Sequence, residues 1–240
     1  MNNMNKEDYS NIGSKNLEIL NESEKFTDWM YSEIKPNISG SILEIGSGIG
    51  TYSQKIIKDY KKNKIILSDI DSKFIKNLKN KYKSKKNIEV IKLDIEKNKL
   101  NNKGVNTIVA LNVLEHINDD IKALNNLYEY LAPQGKAIIL VPAHKKLYNC
   151  IDKAVGHYRR YSKKELINKI NKTKFKIKEI KYFNFISIFG WYINGNILKK
   201  AIINKDATKL LNWGVPVFKF IDKNIILNKI GISLIVILEK

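Results

Sequence analysis

Short apolar runs alternate with segments of helical period along most of the chain. SILEIG (41–46) is an apolar run stopped by glycine, which predicts a buried strand. Residues 51–62 predict a helix, KIILSD (64–69) a second strand and SKFIKNLKNKY (72–82) a second helix. IEVIKLD (88–94) and NTIVALNV (106–113) predict the third and fourth strands, with a helix from about Glu115 to Leu131 after them. The turn Pro133-Gln134-Gly135 leads into a fifth strand, KAIILVP (136–142). Ser162 with Glu165 makes a capping box that opens a helix over SKKELINKIN. FKIKEIKYF (175–183) alternates like a sixth strand, and GISLIVILEK (231–240) predicts a last one. This alternation implies crossover connections and a mostly parallel sheet covered on both faces. Such a sheet binds ligands at the carboxyl ends of its strands.

The chemistry is therefore sought after each strand. LEIGSGIGTYS places Gly46, Gly48 and Gly50 between a strand and a helix. Glycine lets the backbone turn tightly and lets a ligand approach without a Cβ clash. The second strand ends in Asp69, nineteen residues past Gly50, where a carboxylate would hold a ribose diol. A helix cap is the other reading of Asp69, and Asp71 is the better placed of the two for capping. Asp94 ends the third strand, where a carboxylate can accept from an exocyclic amine while Ile95 covers an adenine face; a solvated loop acid is the alternative. The fourth strand ends in LNVLEHI, with Asn112, Glu115 and His116 at the mouth of the sheet. Gly50 comes one residue too early for a dinucleotide turn, so an adenosine ligand without a second nucleotide half is expected.

Composition narrows the classes. The chain has 240 residues, 43% hydrophobic and 28% charged, enough for a packed core. The net charge is +19, from 43 basic and 24 acidic residues, and the only arginines are Arg159 and Arg160. Lysine of this abundance is what an AT-rich coding sequence produces, so the charge alone does not argue for nucleic acid. Residues 1–50 hold four lysines and eight acids, while residues 136–205 hold seventeen basic and three acidic side chains. The single cysteine, Cys150, has no Cys or His partner at zinc spacing, and no metal site is expected. The start, MNNMNKEDYS, is polar and shows no secretory signal, and no apolar run reaches a membrane-spanning length. A cytoplasmic protein is expected.

These motifs resemble those of class I S-adenosylmethionine-dependent methyltransferases. EIGSGIG is similar to that family's first motif, Asp69 to its ribose acid, Asp94 to its adenine contact, and LNVLEHI with LAPQGKAIILVP to its later motifs. The resemblance spans about 60% of the chain, from Ser41 to Phe183. Asn106 departs from it, because relatives often open the fourth strand with aspartate. The resemblance implies a Rossmann-like, doubly wound α/β fold of seven strands with the last antiparallel. It also implies S-adenosylmethionine as cofactor, held by Glu44, Gly46, Ser47, Gly48, Gly50, Asp69, Ile70, Asp94, Ile95, Asn112 and His116. One domain is expected, with an N-terminal helical segment (1–40), the cofactor core (41–183), an inserted helical cap (184–230) and the last strand (231–240).

The acceptor belongs after the fifth strand. Residues 141–166 are too long for a simple connection, and they contain both arginines together with His144 and His157. All three histidines are expected on one rim. His157 is the candidate general base, with a structural histidine as the equal alternative. His144, Tyr148, Tyr158, Arg159, Arg160 and Tyr161 are the candidate acceptor-binding residues. Each arginine can instead pair internally with Asp152 or Glu165. The stretch resembles a bacterial subgroup with a PAH…LY…D…GHYRRY signature, often associated with glycosyltransferases of surface-glycan assembly. That resemblance implies a small-molecule, sugar or lipid-linked glycan acceptor, methylation on oxygen and a glycosyltransferase partner, with no DNA. The helix expected over 22–34, with Phe26, Trp29 and Met30 at helical spacing, also fits the subgroup. FISIFGWYINGNILKK and WGVPVFKFIDKNIIL in the cap suit either packing on the domain or a peripheral contact at the inner face of the membrane. RNA methylation and a non-catalytic cofactor-binding partner of a glycosyltransferase remain as rival functions.

Overall fold

In the computed structural model, which describes residues 6–97, 100 and 104–240, every expected apolar run is a strand. They are β1 (Ile42–Ile45), β2 (Ile65–Asp69), β3 (Ile88–Lys92), β4 (Val105–Leu111), β5 (Leu131–Pro142), β6 (Lys176–Phe183) and β7 (Ser233–Glu239). The first five residues of the polar start lie outside the described part. The seven strands make one sheet in the order β3-β2-β1-β4-β5-β7-β6. β1 to β5 run parallel, and β7 runs antiparallel to both β5 and β6. The order reverses between β1 and β4. That reversal opens a crevice at their carboxyl ends.

Each face of the sheet carries its own core. One face packs α5 (Asp120–Tyr130) and α7 (Lys163–Ile170) through Leu124, Leu127, Leu166 and Ile170. The other packs α2 (Glu24–Ile34), α3 (Thr51–Asp59), α4 (Ser72–Tyr82) and α9 (Lys205–Asn224) through Trp29, Ile34, Ile56, Leu78 and Val215. Strands buried on both faces read as unbroken apolar runs, which explains Ile108 to Leu111 in β4. The edge strand β6 carries Lys176, Lys178 and Lys181, charges that discourage edge pairing.

The structure departs from the expected elements in three places. The helix expected from Glu115 begins only at Asp120, so Glu115 and His116 sit on a separate 3-10 turn, Leu114–His116. Residue 119 caps α5 through its side chain, which accepts from the backbone of Lys122. Ser162 accepts from the Glu165 backbone, but the Glu165 carboxylate does not return the bond; it pairs with Lys145 at 2.9 Å. The reciprocal box forms instead at Asn149 and Asp152, which open the short helix α6 (Cys150–Ala154). A helix α1 (Lys6–Asn21) precedes α2, within the N-terminal segment expected to be helical.

The 184–230 insertion is helical, with α8 (Ser187–Tyr192), a π-helical turn (Ile193–Ile197) and α9. It is anchored at both ends. Asp222 accepts from the backbone of Asn184 and Phe185, and Asn212 accepts from the backbone of Phe26. Asn16 of α1 bonds to Ala201 and Ile203, which joins the chain's first helix to the insertion. Trp29 packs against the Phe183 ring, tilted 58° at 4.7 Å, and is 3% exposed, at the seam between α2 and the sheet. Trp29→Ala is expected to cost about 3–5 kcal/mol in urea unfolding. A cost under about 1 kcal/mol would place α2 outside the cooperative core.

Asp120 fastens α5 to α7 and to the loop before it. Its carboxylate accepts from Tyr161 at 2.9 Å and Lys169 at 2.8 Å, and pairs with Arg159 at 2.8 Å. Burial pushes its pKa up, but the bonds from Lys169, Tyr161 and Arg159 outweigh it and hold the carboxyl below its ordinary value. Its stabilisation is therefore present above the unfolded pKa, about 3.9, and is lost as pH falls through the folded one. Asp120→Asn is expected to cost about 2 kcal/mol at pH 7, with the gap to wild type narrowing below about pH 4. A gap independent of pH would contradict the assignment.

Candidate active site

The glycine turn follows β1 into α3. Gly46, Gly48 and Gly50 all have positive φ, at 70°, 52° and 86°. A Cβ on Gly46 would meet a Val113 methyl at 2.6 Å, so this turn is closed to side chains from within. Two links hold the turn to β2. The Ser47 amide donates to the Ser68 carbonyl at 2.9 Å, and the Gly48 amide donates to Asp69 Oδ2 at 2.8 Å. Glu44 is buried beneath and accepts from the hydroxyls of Ser47 and Ser53. Burial pushes its carboxyl up to about 7. Leu17 of α1 lies over the turn, 3.6 Å from where a Gly48 Cβ would stand.

The neighbouring strand ends present the other cofactor candidates. Asp69 is 8% exposed, and its second oxygen accepts from the Asp71 amide at 2.9 Å. Burial raises its pKa. The helix cap falls to Asp71, which accepts from the Lys73 amide. Ile70 is 60% exposed beside Asp69, whereas Ile95 is buried with Leu93 in the core. The exposed apolar face is thus Ile70, not the Ile95 of the sequence reading. Asp94 accepts from the Glu96 amide at 3.0 Å and lies 3.6 Å from Lys97. Asn112 turns the chain after β4 in the left-handed region, φ 53°, a conformation its short polar side chain tolerates.

The loop after β5 is closed at its base. Tyr161 donates its amide to the Pro142 carbonyl, and His144 donates its amide to the Tyr161 carbonyl, each at 2.9 Å. Inside the loop, Arg160 Nε donates to both oxygens of Asp152 at 2.9 Å and Nη1 donates to the Ala143 carbonyl at 3.0 Å. Trp191 of the insertion covers the guanidinium at 4.3 Å. The same Asp152 carboxylate takes His157 Nδ1 at 2.7 Å. Burial pushes Asp152 up, but His157 and Arg160 together bring its pKa below the ordinary value. An ionised Asp152 can only accept, so His157 donates from Nδ1 and a neutral ring carries its lone pair on Nε2.

That lone pair faces Glu115. Nε2 lies 3.8 Å from Glu115 Oε1, and the His116 ring meets His157 edge-on at 4.6 Å. Glu115 is wholly buried, and neither of its carboxylate oxygens has a hydrogen-bond partner. Burial pushes its pKa up to about 7.

The acceptor candidates divide. His157 and His116 meet, but His144 does not join them: its ring stacks on Tyr182 and contacts the Gly231 carbonyl at 2.9 Å. Arg160 and Tyr161 are buried, at 2% and 0% exposure, and their polar groups are occupied within the protein. Both are corrections to the expectation that they face an acceptor. Arg159 turns back to Asp120 and the Asn118 carbonyl. Tyr148 donates to the His157 carbonyl at 2.7 Å. Tyr158 stands open at 58% exposure. Glu115 carries no legible role in the sequence, and Asp152 is legible there only as an ion-pair partner. The spacing Asn149-x-x-Asp152 before a short helix was the legible sign of the second.

Residues 43–137 match the model of a family described as a methyltransferase domain. The malonyl-[acyl-carrier protein] O-methyltransferase 1 of Ilyobacter polytropus is 28% identical over 217 residues, covering 83% of this chain and 80% of that protein. An S-adenosylmethionine dependent methyltransferase from Mesorhizobium loti superposes with a TM-score of 0.63 at 11% identity, over 88% of this chain and 98% of that one. The phosphoethanolamine N-methyltransferase 2 of Haemonchus contortus, solved in complex with S-adenosyl-L-methionine, gives 0.61 at 15% identity, over 89% and 52%. At these identities the solved structures bear on the fold alone. Residues 43–137 thus carry a methyltransferase domain, and the chain as a whole has the class I fold of S-adenosylmethionine-dependent methyltransferases.

Proposed function

We propose that the protein methylates a hydroxyl oxygen of a glycan-type acceptor carried on a lipid, at an anionic membrane surface. S-adenosylmethionine, when bound, supplies a methyl group already activated on a sulfonium. The chain must then position and desolvate more than activate. The residues present fit an adenosine cofactor. The glycine turn leaves Gly46 exposed at the end of β1, Asp69 is a buried carboxylate with lone pairs beyond the backbone bonds from Gly48 and Asp71, and Ile70 is an exposed apolar side chain beside it. In this reading Glu44, Gly46, Ser47, Gly48 and Gly50 shape the methionine end. Asp69 holds the ribose, Ile70 lies on the adenine and Asp94 accepts from its amine. A hydroxyl acceptor must lose its proton, and His157, held by Asp152 with Nε2 free, is placed to take it.

The observation that carries the acceptor class is the outer face of α9. Leu210, Trp213, Val217 and Phe220 are 67%, 75%, 60% and 61% exposed and fall on one helical stripe. Lys205, Lys209, Lys219 and Lys223 lie on the same helix. An apolar stripe beside lysines suits a helix lying in the interface of an anionic bilayer. Among the described residues no helix is long and apolar enough to cross a membrane.

The similarity to a malonyl-[acyl-carrier protein] O-methyltransferase favours a second reading, methylation of a carboxylate on an acyl carrier. A carboxylate is already ionised at neutral pH and needs no base. Transfer of a labelled methyl group into fractionated extract tests both. The expected result is label in the lipid fraction, absent for Asp69→Ala and reduced about 100-fold or more for His157→Gln. Label in the acyl-carrier fraction, indifferent to His157→Gln, would replace the first reading by the second. Label confined to RNA would contradict both.

A further inference from the structure

We propose that Glu115, His116 and His157 form a binding site for one divalent transition-metal ion. Each offers a ligand atom, and the three atoms lie within 4.8 Å of one another. Three observations about these side chains converge on a cation. Glu115 is wholly buried, yet both of its oxygens lack a hydrogen-bond partner. Buried carboxylates are otherwise paired, hydrogen-bonded or bound to metal. A direct bond to His157 would need a much shorter approach than the present 3.8 Å and would still leave one oxygen bare.

The histidines are oriented for ligation by their second nitrogens. His157 Nδ1 is bonded to Asp152, which Arg160 holds in turn. The His116 ring is hydrogen-bonded to the backbone of Gly156. A carboxylate or carbonyl behind each imidazole, with the other nitrogen facing inward, is the usual outer sphere of a histidine-bound metal. The backbone fixes the same arrangement, because the Tyr158 amide donates to the Glu115 carbonyl at 2.8 Å and so ties the loop to the 3-10 turn.

Two imidazoles and one carboxylate suit Zn²⁺, Mn²⁺, Co²⁺ or Fe²⁺ rather than Ca²⁺, and three protein ligands leave coordination positions open. His116 is the exposed member of the three and provides access. The open positions lie at the strand ends beside the acceptor loop, where an acceptor with a hydroxyl or adjacent oxygens can bind the ion. Only this role rests on the proposed methylation. The lone pair of His157 serves either as base or as ligand, and the ion would assign it to ligation.

The test uses the full chain, stripped with a chelator and dialysed. Titration calorimetry with Zn²⁺ and visible absorption of added Co²⁺ should show one ion per chain. Glu115→Gln and His116→Ala should each weaken binding by about tenfold or more. Cys150→Ser, which removes the only thiol, should leave it unchanged. Should Glu115→Gln lose its circular dichroism, His116→Ala decides alone. No stoichiometric binding, or wild-type affinity in His116→Ala, overturns the site. S-adenosylhomocysteine binding on the same samples keeps the two proposals apart. If it persists without metal binding, only the metal site fails; if it is absent while the ion binds, the methyltransferase reading fails and the metal site stands.

Discussion

Arg160 and Asp152 form the buried ion pair on which the loop after β5, the proposed acceptor side, depends. The guanidinium satisfies both carboxylate oxygens and a backbone carbonyl while Trp191 covers its face. Lysine has one point donor group and could not fill that fork geometry. Removing either partner would strand a buried charge, at a cost of about 3–5 kcal/mol. The pair is thus less a source of net stability than a constraint. It forces the 143–161 loop to fold inward, gives His157 one tautomer, and seats that ring against Glu115 and His116. It also fastens the insertion to the loop through Trp191.

The two halves of the proposed site are built differently. The proposed cofactor half stands on strand ends and the backbone bonds of the glycine turn, whose positions follow from a sheet buried on both faces. The proposed acceptor half is a loop held by side chains, with the insertion behind it. α1 connects them, lying over Gly48 at one point and bonding to Ala201 and Ile203 at another.

The fold was legible because periodicity reports burial directly. The apolar runs at 41–46, 64–69 and 106–113 are strands because their residues face helices on both sides. Asp69 was legible because its distance from Gly50 follows from one helix and one strand. Residues whose role depends on tertiary pairing were not. Nothing local separates Arg160, which points inward, from Arg159, which reaches Asp120 at the loop's rim. Glu115 and His157 are forty-two positions apart, and only the folding of the loop brings them together. His144 shows the reverse, since its place in the same loop suggested a shared rim and its ring instead packs on Tyr182. The helix start at Glu115 failed because the 3-10 turn is a local deviation that an apolar period does not register.

The account's central claim is that the Asp152–Arg160 pair organises acceptor chemistry without contributing to the cofactor site. Asp152→Asn, assayed for both S-adenosylhomocysteine affinity and labelled methyl transfer on one folded sample, tests it most directly. The account predicts affinity within about twofold of wild type and transfer reduced by about 100-fold or more. Transfer at the wild-type rate, or a parallel loss of cofactor affinity, would contradict it.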